Sequence, residues 1–228
     1  MLIVNPKREH ESIEVKPYWY NYYAGFSHTF TQKIIESAGL DSNSMVLDPW
    51  NGAGTTTLMA SVNGFRSIGI DLNPVMKVIA SAKQVVESDI DTISLKLKSL
   101  NSKPRNLLRK ADQLNDWFDT ETVNAIRNVE YCILGGVQYE TTAEKVNSLT
   151  DPQCLMYTGL FNCVRYYLNN FIPSNPTWIK KPKASHEKVA VRWLDLKKHF
   201  VGYVQDMVEG ISAIEHEWPE KTSDIKIL

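Results

Sequence analysis

In Met45-Val46-Leu47-Asp48-Pro49-Trp50-Asn51-Gly52-Ala53-Gly54-Thr55-Thr56-Thr57 a short apolar run ends in an acid and a proline, and two glycines then lead into three threonines. Leu58, Met59, Ala60 and Val62 follow at helix-compatible spacing, so the stretch predicts a strand, a glycine-rich turn and a helix. Asn63-Gly64 should stop that helix, the glycine supplying a left-handed cap. Phe65 to Ile70 then predicts a second strand ending in Asp71, and Asn73-Pro74 opens a further helix through Val75, Met76, Val78, Ile79 and Ala82. Two consecutive strand–helix units call for a parallel sheet with right-handed crossovers.

Upstream, Ser27 to Ala38 predicts a helix with Phe30, Ile34 and Ile35 on its apolar face and Gly39 at its end; the aromatic run Tyr18 to Tyr23 is expected to seal one edge of the sheet. Downstream of Lys83 the pattern turns helical as far as about Ile214, with Leu155, Met156, Leu160, Leu194, Phe200, Val204 and Met207 among its apolar positions. Breaks are expected near Pro104, Gly135-Gly136, Asp151-Pro152 and Pro173 to Pro176. Ser223 to Leu228 alternates as a strand does. The division this suggests is 1–88 for the strand–helix units with their preceding helix, 89–215 for a helical insertion and 216–228 for a returning strand.

The chain has 228 residues, 43% of them hydrophobic and 22% charged, which excludes a disordered tail, a collagen-like repeat and a coiled coil. With a net charge of -1, nothing about nucleic acid or membrane follows from the total. Cys132, Cys154 and Cys163 have no metal-ligand spacing, and their odd number argues against a disulfide framework. Neither a leader pattern nor a run approaching ~18 apolar residues is found, so the expected setting is the cytoplasm, without membrane or metal. The five histidines show no partner spacing for a metal, and the serines sit in no nucleophile-elbow pattern.

The turn itself carries chemistry. A Gly-x-Gly turn between strand and helix frees backbone N–H groups and lets a ligand approach the main chain at the carboxyl end of the sheet. Asp48 would repel a pyrophosphate there yet accept hydrogen bonds from an ammonium. The turn also lacks the Lys-Ser/Thr pair of a phosphate loop and the third glycine of a dinucleotide fingerprint. Asp71 closes the second strand at the position from which an acid grips a ribose diol, with helix capping as its plain structural alternative. Asn73-Pro74 fixes the chain where an adenine would lie, and a ligand with a ribose, an adenine and an ammonium but no phosphate fits S-adenosylmethionine.

Asp48-Pro49-Trp50-Asn51-Gly52-Ala53-Gly54-Thr55-Thr56 resembles the cofactor motif of the amino-methylating DNA methyltransferases, which make N4-methylcytosine or N6-methyladenine. Ile68 to Pro74 resembles their next motif, and Tyr22 through Ile34 the N-terminal motif that completes the cofactor pocket. Asp116-Trp117-Phe118 and Asn175-Pro176-Thr177-Trp178 resemble, more loosely, parts of the helical insertion of some members. The resemblance implies an α/β, Rossmann-like methyltransferase fold with a partial sheet and a largely helical insertion. It also implies a cofactor site drawn from Tyr23, Phe26, Asp48, Pro49, Gly52, Gly54, Thr55, Thr56, Asp71, Leu72, Asn73 and Pro74.

One departure is decisive for the chemistry. These enzymes hold the target amine with an Asp/Asn/Ser-Pro-Pro-aromatic tetrapeptide, and this chain contains no Pro-Pro dipeptide. No catalytic residue is therefore assigned. The expectation is one polypeptide of a split methyltransferase whose second chain carries the catalytic half; a fragment and a cofactor-fold scaffold are the alternatives. Trp193, Phe200, Ile225 and Ile227 are candidates for the interface. DNA is the expected substrate, with RNA sharing every motif. Two basic stretches, Thr92–Ala111 and Trp178–Phe200, offer phosphate contacts, with Lys180, Lys181, Lys183 and Arg192 the chosen candidates.

Overall fold

A computed structural model describes residues 5–6, 19–20, 25–100, 103–138, 143–174, 179–214 and 225–228. The predicted strand–turn–helix pairs form as read. Strand β1 (Met45–Asp48) leads through the glycine turn into α2 (Thr55–Val62), and β2 (Arg66–Gly69) into α3 (Pro74–Ala82); α1 (His28–Ser37) precedes them. Ser27 caps α1, its side chain accepting from the Phe30 N–H, and Asn73 caps α3 through the Val75 N–H with Pro74 in the first turn. Gly64 takes φ 78° just beyond α2.

The third strand, β3 (Ile225–Ile227), joins the sheet after a long helical excursion, and the order β1-β2-β3 is parallel throughout. Residues two apart in a strand share a face, and partners in register share it too. Val46, Ser67 and Ile225 therefore lie on one side, where Val46 packs with Ile35 of α1 and Leu58, Met59 and Ala60 of α2. Met45, Leu47, Ile68 and Lys226 lie on the other. There Met45 is 49% exposed and Leu47 59% exposed, so among the described residues helices cover only one face of the sheet. Parallel sheets ordinarily bury both faces.

The excursion comprises α4 (Ile90–Lys98), α5 (Thr120–Ile133), α6 (Asp151–Tyr167) and α7 (Trp193–Ile214). They bury a second core around Phe118, Leu155, Met156, Leu196, Phe200 and Met207. Helix α6 packs along α3 on one side and α7 on the other. A Cβ on Gly159 of α6 would stand 2.7 Å from the Val204 side chain of α7, so glycine permits that close crossing. Burial pushes the Cys154 and Cys163 thiols up to about 12, keeping both protonated within this core.

The break expected near Asp151-Pro152 falls immediately before α6, which Thr150 and Gln153 open with a reciprocal capping box. Three sequence expectations change here. Leu194 is 67% exposed and Leu196 is the core residue of that turn. Trp19 is wholly buried in the helical core, with its carbonyl accepting from Asn162 Nδ2, so this ring does not seal a sheet edge; Tyr18 and residues 21–23 of the aromatic run lie outside the described residues. Phe200, offered as an interface residue, is wholly buried and so unavailable to a partner. Ile225 and Ile227 are half-buried on the helix-covered side, and Trp193 packs partly against the helical core.

A charged network ties the loop before α5 to that helix. Arg127 donates from Nε and Nη2 to Asp112 at 2.6 and 2.7 Å, and from Nη1 to Glu130 at 2.9 Å, while Arg109 reaches Glu130 at 2.8 Å. Burial resists ionisation of Asp112, but Arg127, the Leu114 N–H and the Arg109 charge outweigh it and hold the carboxyl below its ordinary 3.8. A depressed folded-state value gives stability that is complete above pH 3.8 and drains away as pH falls through the folded value. Asp112→Asn should therefore cost about 2 kcal/mol at neutral pH, Glu130 still partnering Arg127. Urea unfolding of variant and wild type should show the gap narrowing toward pH 3; a gap independent of pH would show that the Asp112 charge is not its source.

Candidate functional site

At the carboxyl ends of β1 and β2 the two acids flank the glycine turn. Asp48 Oδ1 accepts from the Trp50 N–H at 3.0 Å. Asp71 Oδ2 accepts from the Gly52 N–H at 2.9 Å, and its Oδ1 from the Asn73 N–H at 2.8 Å. Asp71 thus joins the two loops, while Asn73, not Asp71, caps α3. A carboxylate oxygen can accept more than one hydrogen bond, so Asp71 keeps acceptor capacity for a diol. Gly52 and Gly54 adopt φ 49° and 77°, values that bulkier residues avoid. No side chain caps α2, since Gly54 occupies the cap. The N–H groups of its first turn, at Thr55 and Thr56, are thereby available to an anionic ligand group.

The turn is braced from beneath by residues that sequence reasoning did not single out. Asn51 is 5% exposed and covers Gly69 of β2, where an added Cβ would fall 2.4 Å from Asn51 Cγ. Asn51 Nδ2 has no hydrogen-bond partner, whereas Oδ1 lies 3.2 Å from Thr57 Oγ1. Exchanging the two amide atoms pairs the nitrogen with Thr57 Oγ1, whose own hydrogen goes to the Gly54 carbonyl at 3.2 Å. Lys83, 1% exposed at the end of α3, donates from Nζ to the Ala53 carbonyl at 2.5 Å. A buried asparagine and lysine have no local signature; both residue types ordinarily read as surface.

The other expected site residues divide. Gly52, Gly54 and Thr55 are buried within the turn, Thr56 is half-buried, and Pro49, Asn73 and Pro74 are exposed at its rim. Leu72 is 100% exposed beside Asp71, and Trp50 is 84% exposed beside Asp48. Phe26 is exposed and rests against Phe30 at a ring separation of 5.7 Å, without a described contact to the turn. Tyr23 and Asn175-Pro176-Thr177-Trp178 lie outside the described residues.

Of the basic candidates, Lys180 and Lys183 are exposed. Lys181 is paired with Asp116 at 2.6 Å and Arg192 with Asp195 at 2.7 Å, both on the surface. In the earlier stretch Lys96 binds the Ile133 carbonyl and Arg109 the Glu130 carboxylate, so part of that charge is structural. Among the described residues, no three potential metal ligands converge and no helix is long and apolar enough to cross a membrane. A separate apolar cavity of about 420 Å³ lies between α3, α5 and α6, bordered by Val75, Ile126, Tyr157 and Phe161.

With this geometry in place, the chain can be compared with known proteins. Over 68 residues, 30% of this chain, it is 40% identical to the Type II methyltransferase M.BsoBI of Geobacillus stearothermophilus. The matched stretch spans 13% of that relative's length. No family model and no solved structure matches the chain. The similarity supports a relationship to methyltransferases, and the mixed α/β architecture with its small parallel sheet is compatible with a methyltransferase fold.

The residues present fit S-adenosylmethionine. Asp48 offers an acceptor for an ammonium, the uncapped start of α2 offers donors for a carboxylate, and Asp71 offers acceptors for a ribose. Two acids around a helix start without a lysine in the turn would suit a polyphosphate poorly.

Proposed function

We propose that this chain binds S-adenosylmethionine and forms the cofactor half of a DNA amino-methyltransferase acting on cytosine N4 or adenine N6. The observation that carries the reading is the pair of acids at adjacent strand ends, linked through the Gly52 N–H to Asp71 contact around an uncapped helix. Asp48, Pro49, Gly52, Gly54, Thr55 and Thr56 surround the methionine end. Asp71 takes the ribose, and Leu72, Asn73 and Pro74 border the adenine; Phe26 is assigned to the N-terminal side of the pocket, as is Tyr23, which lies outside the described residues. When bound, the cofactor supplies an electrophilic methyl on a sulfonium; the work of these residues is to hold and orient it. Residues 1–88 form the cofactor unit and 216–228 its returning strand. The insertion 89–215 meets DNA through Lys180, Lys181, Lys183 and Arg192, of which Lys181 and Arg192 must exchange acidic partners for phosphate.

The amine-holding residues are assigned to a second protein chain. The bare face of the sheet supports this assignment: among the described residues, Met45 and Leu47 are exposed on the side away from α2, and no strand pairs with the outer edge of β1. Exposed Met45, Leu47 and Trp50 on and just beyond β1 are apolar surface of the kind that marks an interaction site. A chain adding parallel strands at β1 and helices over Met45 and Leu47 would remove both the open edge and the apolar face.

The test is affinity purification of the chain from its own host with mass spectrometry of what co-purifies, followed by methylation assays on duplex DNA and RNA. A stoichiometric partner containing an Asp/Asn/Ser-Pro-Pro-aromatic tetrapeptide, and methyl transfer to DNA by the pair, is expected. A chain that purifies alone would remove the split-enzyme assignment. Cofactor binding without transfer in the presence of the partner would make the chain a scaffold, and transfer to RNA alone would replace the substrate.

A further inference from the structure

The peptide unit joining Ala53 to Gly54 is gripped at both ends. Its N–H donates to the Asn51 carbonyl at 2.8 Å, and its carbonyl accepts from Lys83 Nζ at 2.5 Å. Gly54 then takes φ 77°, which begins α2 in the orientation that leaves its first-turn N–H groups uncovered. Ala80, one turn before Lys83 on α3, packs against the same glycine so closely that an added Cβ would stand 2.7 Å from its Cβ. Helix α3 therefore touches the turn twice, through Ala80 and Lys83.

Such a turn has an alternative. Glycine adopts either sign of φ, so a compensating change of Ala53 ψ and Gly54 φ turns the Ala53–Gly54 peptide over while leaving the flanking residues nearly in place. That rotation would withdraw the Gly54 N–H from Asn51 and the Ala53 carbonyl from Lys83. The ammonium on the Ala53 carbonyl opposes the rotation. A buried ammonium carries a desolvation cost that a methionine of similar length in the same place would avoid. Beyond filling space, the lysine supplies a charged donor to the Ala53 carbonyl.

We infer that Lys83 is a positioning residue for cofactor binding, locking the Ala53–Gly54 peptide so that the start of α2 is presented to the ligand. The inference rests on the cofactor reading for its affinity effect but not for its effect on the turn itself. Lys83→Met keeps the apolar stem and removes the donor; Lys83→Arg restores a cationic donor.

The experiment measures amide hydrogen exchange at Gly54 in the protein without ligand, together with S-adenosylmethionine affinity and thermal stability, for wild type and both variants. In Lys83→Met, Gly54 exchange should accelerate about tenfold or more and affinity should fall about tenfold, the scale of one charge-assisted hydrogen bond. Exchange in the α6–α7 core should be unchanged, as global destabilisation would not allow, and Lys83→Arg should recover part of both effects. Wild-type Gly54 protection and affinity in Lys83→Met would overturn the inference. If wild type itself binds no S-adenosylmethionine, the cofactor reading fails, and the Gly54 exchange still decides whether Lys83 locks the turn. If Lys83→Met does not fold, Lys83→Gln replaces it: a neutral donor should give intermediate exchange, and wild-type exchange there would count against a role for the charge.

Discussion

Asp71→Ala should lower affinity for S-adenosylmethionine by about 100-fold or more. The estimate follows from losing two hydrogen bonds to a charged acceptor, each worth about 1.5–3 kcal/mol, where about 1.4 kcal/mol is tenfold in affinity. The carboxylate also organises the protein side of the site, since it holds the Gly52 N–H at 2.9 Å and the Asn73 N–H at 2.8 Å. Removing it releases the turn from the second loop and should cost about 1 kcal/mol of stability, leaving the chain folded. Asp71→Asn separates these effects. An amide has one acceptor oxygen, so its NH₂ group must confront one of those two backbone donors, and affinity should fall nearly as far as in the alanine variant. Calorimetric titration of the three proteins checks the prediction; wild-type affinity in Asp71→Ala would remove the ribose assignment.

Gly54→Ala should strongly destabilise the site. The residue sits at φ 77°, a conformation costing an L-residue about 1–2 kcal/mol, and the new Cβ would lie 2.7 Å from Ala80 Cβ and 3.0 Å from its Cα. The second contact is with backbone and cannot be relieved by a rotamer change, so overpacking adds about 1–3 kcal/mol. A loss of about 3 kcal/mol is expected in urea unfolding, with cofactor binding lost because relief of the clash moves the turn away from α3. Gly39→Ala provides the control. It has φ 65° but nothing within 4 Å of its added Cβ, so only the conformational cost should appear. Equal losses in the two variants would show that contact with α3 does not hold the turn.

The segment from β1 to α3 was legible almost residue by residue because its boundaries are made by local chemistry. Gly64 ends α2, Asn73-Pro74 starts α3, and the short apolar run Met45 to Leu47 ending in Asp48-Pro49 marks a strand without reference to the rest of the chain. β2 is one residue shorter at each end than Phe65–Ile70, although the Ile70 N–H to Asp48 carbonyl bond carries the pairing slightly further. What stayed hidden depends on neighbours far along the chain. Lys83 lies thirty residues from its carbonyl partner, and nothing around it distinguishes a buried lysine from a solvated one. Trp19 belongs to a core whose other members run from Val78 to Ile211. Periodicity alone placed Leu194 inside, but the start of α7 turns Leu196 inward instead.

The basic stretches illustrate the same limit. A run of lysines and arginines looks uniform in sequence, yet Lys96 and Lys197 hold backbone carbonyls and Arg109 a buried glutamate, while Lys180 and Lys183 stand at the surface. Only the latter kind is free to neutralise phosphate without dismantling the fold. The exposed side of the sheet was likewise invisible beforehand, because its exposure is a property of three strands in register and not of any one of them.

The most direct measurement is a calorimetric titration of the purified chain with S-adenosylmethionine, repeated on Asp71→Ala. Saturable one-to-one binding by the wild type, abolished or strongly weakened in the variant, is the expected result. A folded wild-type chain that releases no binding heat and gains no thermal stability at millimolar S-adenosylmethionine would contradict the assignment of the Asp48 to Pro74 site.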